Sequence, residues 1–171
     1  MSGHSLLVLG GARSGKSRYA QGRAEASGLK RLFVATAQAF DDEMRDRIAR
    51  HRDERTDAWE TVEAPLDLAG TIAARSARDT ILLIDCLTLW TTNLILGERD
   101  CGDATAGLVD AIGAAAGPLI FVANEVGFGI VPDNALARRF RDEAGIINQR
   151  VAAAVDEVQL VAAGLPLRLK G

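Results

Sequence analysis

The arrangement of aliphatic residues constrains the fold of this chain more than any other feature. Four short runs, Leu6–Leu9, Arg31–Ala35, Thr80–Ile84 and Leu119–Ala123, are almost free of polar alternation, and stretches of helical periodicity separate them. Strands that are apolar on both sides must be covered on both faces, and parallel strands joined by helical crossovers meet that demand. The pattern therefore predicts an α/β three-layer domain built on a mostly parallel sheet. Helices are expected at Ser17–Ala26, from the cap Asp67 to about Ser76, and at Leu87–Leu96, Ala104–Ala116 and Asn134–Val155, the last with Gly145 as a break. Gly97–Asp103 reads as a loop, Trp59–Glu63 as a short extended piece and Asp41–Arg55 as a densely charged helix. Val158–Ala162 and Leu165–Leu169 form a terminal hairpin around Ala163–Gly164, which adds an antiparallel strand at one edge of the sheet. With 171 residues, no internal repeat and no linker, residues 1–171 read as one domain.

Composition excludes several classes of function. Twenty Lys and Arg against 23 Asp and Glu give a net charge of -3, so the basic excess expected of a general nucleic-acid or anionic-membrane binder is missing. Aromatic residues are only 5% of the chain, which leaves little to stack on unpaired bases. The two cysteines, Cys86 and Cys101, lack metal-ligand spacing, so neither a zinc domain nor a disulfide scaffold is expected. No apolar run approaches the roughly 20 residues of a membrane span. The N-terminus lacks the basic start and long apolar core of a signal peptide. These features predict a cytoplasmic protein with reduced thiols.

Chemistry enters at Gly10-Gly11-Ala12-Arg13-Ser14-Gly15-Lys16-Ser17, which fits G-x-x-x-x-G-K-[ST] in full. The run follows an expected strand and opens an expected helix, the context this phosphate-binding motif requires. Glycines let the backbone curl so that its N–H groups converge on phosphate oxygens, and the helix N-terminus adds its positive end. Lys16 supplies a charge for the β- and γ-phosphates, and the Ser17 hydroxyl is a ligand for Mg²⁺. The alternative is a glycine turn that happens to precede a lysine. Asp85 closes the Thr80–Ile84 run at a strand's carboxyl end, where open α/β sheets bind ligands. It suits a direct or indirect Mg²⁺ role, and equally a cap on the helix that follows. The chain is thus expected to bind a nucleoside triphosphate with Mg²⁺.

The segment Asp41–Arg55 holds six acids and five arginines, most of which a solvated helix with ion pairs explains. His51 is different. At ~100° per residue, Met44, Ile48, His51 and Arg55 fall within ~60° of one another, so His51 shares the apolar face with Arg47 and Arg55 one turn away on either side. Neighbouring cations disfavour the imidazolium, and a neutral imidazole is a competent nucleophile. A core histidine bonded to a backbone carbonyl fits the same geometry. His4, the other histidine, reads as an inert residue of the N-terminal tail.

The motifs taken together are more specific than any one of them. Leu9–Arg18, Asp41-Asp42-Glu43-Met44, Arg47-Ile48, His51-Arg52, Asp85–Trp90, Asn93-Leu94, Asn124-Glu125-Val126-Gly127, Gly129–Pro132, Arg139–Asp142, Gly145 and Asn148-Gln149 closely resemble the bifunctional adenosylcobinamide kinase / adenosylcobinamide-phosphate guanylyltransferases of cobalamin biosynthesis. The resemblance runs from about Leu6 to Lys170. It implies two reactions: phosphorylation of the adenosylcobinamide hydroxyl by ATP or GTP, then transfer of GMP from GTP to the resulting phosphate through a guanylylated histidine. That histidine maps onto His51. Nucleotide contacts map onto the phosphate loop, Ala35-Thr36-Ala37, Arg52-Asp53-Glu54-Arg55, Glu63 and Asp85. A RecA-like sheet and a homotrimer are implied as well. Asn124 and Glu125 either position a substrate hydroxyl or Mg²⁺, or organise their loop. Two rival readings remain open on sequence alone: a P-loop small-molecule kinase without a covalent nucleotidyl intermediate, and a RecA-like nucleic-acid ATPase.

Overall fold

The structure, a computed structural model, describes residues 4–38 and 58–171. In chain order the elements are β1 (Ser5–Gly10), α1 (Lys16–Ala26), β2 (Lys30–Ala35), β3 (Trp59–Glu63), α2 (Leu68–Arg75), β4 (Thr80–Asp85), α3 (Leu87–Leu96), α4 (Cys101–Ala114), β5 (Leu119–Asn124), α5 (Ala135–Ala154), β6 (Glu157–Ala162) and β7 (Leu165–Lys170). The strands form one sheet in the order β3-β2-β4-β5-β1-β6-β7. All neighbours are parallel except β6 and β7, the antiparallel pair at one edge.

The unbroken aliphatic runs have the consequence expected of them. Alternate residues of each strand enter two separate cores. Leu6, Val8, Phe33, Ile81, Leu83, Ile120 and Val122 pack on one face with Ala20 and Ala24 of α1. Leu7, Leu9, Leu32, Val34, Leu82, Ile84, Leu119 and Phe121 pack on the other, against α2, α3, α4 and α5. Trp90 of α3 is the largest fully buried side chain of the second core, and its indole N–H donates to the Leu66 carbonyl at 2.8 Å.

Several local expectations shift. Helix α4 starts three residues before Ala104, because Asp100 caps it by accepting from the Asp103 amide at 2.8 Å. The loop before it is accordingly shorter than Gly97–Asp103. Gly145 does not break α5, which runs unbroken for 20 residues from the cap Asn134. Burial of Ala144, Ile147, Asn148 and Val151 against the sheet outweighs the ~1 kcal/mol penalty of an interior glycine. Asp67 and the terminal hairpin behave as expected. The charged segment Asp41–Arg55 lies outside the described residues. Among the described residues, no helix is long and apolar enough to cross a membrane.

Candidate active site

Parallel register brings the functional residues to one end of the sheet. Gly10 pairs with Asn124, and Asp85 pairs with both Ala35 and Val122, while Ala35 pairs with Glu63 on its other side. The carboxyl ends of β1, β2, β3, β4 and β5 therefore line up.

From Gly10 the chain turns through the glycine-rich loop into α1. Arg13 and Gly15 have φ of 56° and 93°, the left-handed values that curl the loop back, and the Ser14 amide bonds the Gly11 carbonyl at 3.3 Å. Gly10 must be glycine. A Cβ there would collide with the Ser14 side chain and stand 2.6 Å from the Val161 carbonyl oxygen. Lys16 Nζ donates to the Gly11 carbonyl at 3.1 Å, so the ammonium lies over the mouth of the loop. Gly15 occupies the N-cap of α1, and no side chain caps the first turn. The Ser14 hydroxyl is buried with no hydrogen-bond partner among the described residues. Uncapped amides, a positioned ammonium and an orphaned hydroxyl form a receptor for an anion.

A second assembly fixes the strand ends beside the loop. Thr36, fully buried, donates its hydroxyl to the Cys86 carbonyl at 2.7 Å and accepts from the Cys86 amide at 2.8 Å. Asn93 of α3 donates to the carbonyls of Thr36 and Pro65, both at 2.8 Å. The ends of β2, β3 and β4 are thereby tied to one helix. Asn93→Ala would leave two carbonyls unsatisfied at a cost of about 2 kcal/mol or more. Thermal unfolding should show this as a drop of roughly 4–8 °C. A variant melting with the wild type would show that the clamp carries no stability.

Asp85 ends β4, and its carbonyl accepts from the Thr36 amide at 3.3 Å. The cap on α3 is not Asp85 but Cys86, whose Sγ accepts from the Leu89 amide at 3.4 Å. Burial, reinforced by the neighbouring Asp85 charge, pushes the Cys86 thiol up to about 12, so it is no nucleophile at neutral pH. The Asn124 backbone is held from two sides, its amide by the Thr88 hydroxyl at 2.7 Å and its carbonyl by Asn148 at 3.3 Å. Glu125 organises its own loop, accepting the Gly127 amide at 2.6 Å. Beyond it Phe128, Ile130 and Val131 are 86%, 98% and 61% exposed.

His4 is not an inert tail residue. It bonds Glu157 at 3.0 Å, beside the two 2.8 Å bonds from Arg23 to the same carboxylate. The Arg23 guanidinium foremost, against the opposing effect of burial, holds the Glu157 carboxyl well below the usual range; Gln159 and His4 assist. This cluster sits where β1 and β6 begin, at the end of the sheet away from the loop. His51 and Arg52-Asp53-Glu54-Arg55 lie outside the described residues. Thr88, Asn93 and Asn148 received no role from sequence reasoning. Their signal was a polar side chain on an otherwise buried helical face.

Among the described residues, no three His, Cys, Asp or Glu side chains group to hold a metal. A hard cation here would therefore rely on few protein oxygens and complete its shell from phosphate and water, as Mg²⁺ does. Fold and site together define a nucleotide-binding α/β protein with a phosphate-type loop.

A model of the cobinamide kinase / cobinamide phosphate guanyltransferase family matches residues 6–169. The chain belongs to this family and is a bifunctional enzyme that uses nucleotides. It is 48% identical to the bifunctional adenosylcobalamin biosynthesis protein CobP of Pseudomonas aeruginosa, over 96% of each chain. It is 42% identical to the bifunctional adenosylcobalamin biosynthesis protein CobU of Salmonella typhimurium, over 96% of this chain and 99% of that one. In fold it resembles a protein of Pyrococcus horikoshii, with a TM-score of 0.56, 10% identity and coverage of 99% of this chain and 87% of the other.

Proposed function

We propose that residues 1–171 act as one nucleotide-binding domain that carries out both reactions on adenosylcobinamide. In the first, the oxygen of the substrate's terminal hydroxyl attacks the γ-phosphorus of ATP or GTP, the nucleoside diphosphate leaves and the hydroxyl proton is lost. In the second, an imidazole nitrogen of His51 attacks the α-phosphorus of GTP and pyrophosphate leaves. An oxygen of adenosylcobinamide phosphate then displaces the imidazole, giving adenosyl-GDP-cobinamide. Covalent relay through the protein divides one difficult displacement into two easier ones.

The uncapped N-terminus of α1 beneath Lys16 is the observation that carries this reading. Gly10-Gly11-Ala12-Arg13-Ser14-Gly15 hold the phosphates through backbone amides, and Lys16 offsets charge that develops on them. Ser17 and Asp85 would hold Mg²⁺, whose chemistry there is neutralisation of phosphate charge. Ala35, Ala37 and Glu63, at the same sheet end, contact the nucleotide together with Arg52, Asp53, Glu54 and Arg55, while Thr36, fully buried between them, positions its neighbours instead of touching the ligand. The protein works in the cytoplasm as a homotrimer and binds no nucleic acid.

Incubation with GTP labelled at the α-phosphorus tests this reading. Acid-labile label should appear on the protein and pass to adenosylcobinamide phosphate. Kinase activity without any protein-bound label would leave only the simpler small-molecule kinase.

A further inference from the structure

The terminal hairpin closes through Ala163 and Gly164, with φ of 51° and 79°. Two consecutive positive values are the signature of a type I′ turn, which glycine adopts freely. Because β6 pairs directly with β1, this turn lies beside the glycine-rich loop. The Gly164 amide donates to the Ser14 carbonyl at 2.8 Å, joining residues far apart in the chain. The approach is close over a wider area. A Cβ on Gly15 would stand 3.2 Å from Gly164 Cα and 4.0 Å from Val161 Cγ1, and one on Gly10 would meet the Val161 carbonyl at 2.6 Å. The end of β6 and the hairpin turn thus form a wall against which the loop is moulded.

The bond has a directional consequence. The Ser14 carbonyl and the Gly15 N–H belong to one planar trans peptide and point in opposite directions. Anchoring the carbonyl to the hairpin aims the Gly15 amide the other way, away from the hairpin. We propose that the terminal hairpin is a positioning element of the nucleotide site, with Gly164 fixing the Ser14–Gly15 peptide so that its N–H faces the phosphates. This rests on the reading of the loop as the phosphate site.

A Cβ on Gly164 itself meets nothing within 4 Å, so substitution there acts through backbone conformation and not through a clash. Gly164→Val places a β-branched residue where φ is positive and should pull the turn out of position. Gly164→Asn, which tolerates left-handed backbone, should restore it. Leu160→Ala supplies the control, because Leu160 belongs to the same hairpin but packs on the opposite sheet face. Calorimetric titration with GDP and thermal melting are measured on all four proteins, with KM and kcat of the kinase reaction. Gly164→Val should weaken GDP binding about tenfold, the equivalent of one strong hydrogen bond, and raise KM more than it lowers kcat. Gly164→Asn should lie within about threefold of wild type, since asparagine adopts positive φ readily. Leu160→Ala should lower the melting temperature without weakening GDP binding. If Gly164→Val does not fold, Gly164→Ala replaces it, with a loss of about fivefold expected from the milder backbone penalty. Unchanged GDP affinity in the Gly164→Val or Gly164→Ala protein would overturn the proposal, as would equal weakening by Leu160→Ala. Failure of the wild type to bind GDP would instead remove the underlying assignment of the loop.

Discussion

His51→Ala should phosphorylate adenosylcobinamide yet acquire no GMP when incubated with GTP. Phosphoryl transfer to an alcohol needs alignment and charge neutralisation, which the loop supplies, and no protein nucleophile. Guanylyl transfer by covalent relay needs one. Neither His4 nor Cys86 offers a substitute. His4 is bound to Glu157 where the central strands begin, away from the loop, and the Cys86 thiol is buried and protonated. Guanylyl transfer should therefore be abolished. Intact-mass spectrometry would follow the adduct, and separate assays the two half-reactions. In the wild type the adduct should disappear on treatment with acid or hydroxylamine, as a phosphoramidate does. A His51→Ala protein that still gains GMP would place the nucleophile at another residue.

Lys16→Ala should cost both reactions about a hundredfold or more, the usual price of deleting one preorganised group at a developing charge. Lys16 stands over the Gly11 carbonyl, at the mouth of a loop whose amides no side chain caps. In the kinase step negative charge builds between the β- and γ-phosphates. In the guanylyl step it builds on departing pyrophosphate. One cradle serves both only if both nucleotides enter it in turn. Parallel loss of the two activities, with an unchanged circular dichroism spectrum, is the outcome expected. Survival of either activity would mean a separate nucleotide site.

Much of this architecture was legible in the residues. Runs such as Thr80–Ile84 lack polar alternation because both faces of the strand are covered, and that property alone implies parallel strands and helical layers. The loop declared itself through the Gly-x-x-x-x-Gly-Lys-Ser spacing, whose first glycine, Gly10, stands where a Cβ would meet the Val161 carbonyl. Helix boundaries were less legible. The start of α4 depended on whether Asp100 or a later residue captured the first free amides, and Gly145 was carried through α5 by tertiary packing. The supporting residues of the site were hidden for a related reason. Asn93 and Thr36 act by bonding the carbonyls and amides of other strands, and such partners are fixed by three-dimensional register. The role of His4 is not legible in sequence, because its partner Glu157 lies 153 residues further along the chain.

The position of β1 in the sheet has a bearing on how the enzyme comes into being. Its neighbours are β5 and β6, so Ser5 waits for Leu119 and Leu6 for Glu157. The loop leaves the ribosome well before the wall that shapes it is synthesised. At ordinary translation rates that interval is roughly ten to thirty seconds. Until β5 emerges, Leu6–Leu9 is an unpaired aliphatic segment with both edges open, and until β6 emerges one edge stays open, the kind of strand that associates with other chains. Full shaping of the loop therefore waits for β6 and the hairpin: a nascent chain stalled before them has the complete phosphate motif in its sequence but lacks the Val161 and Gly164 contacts that hold it.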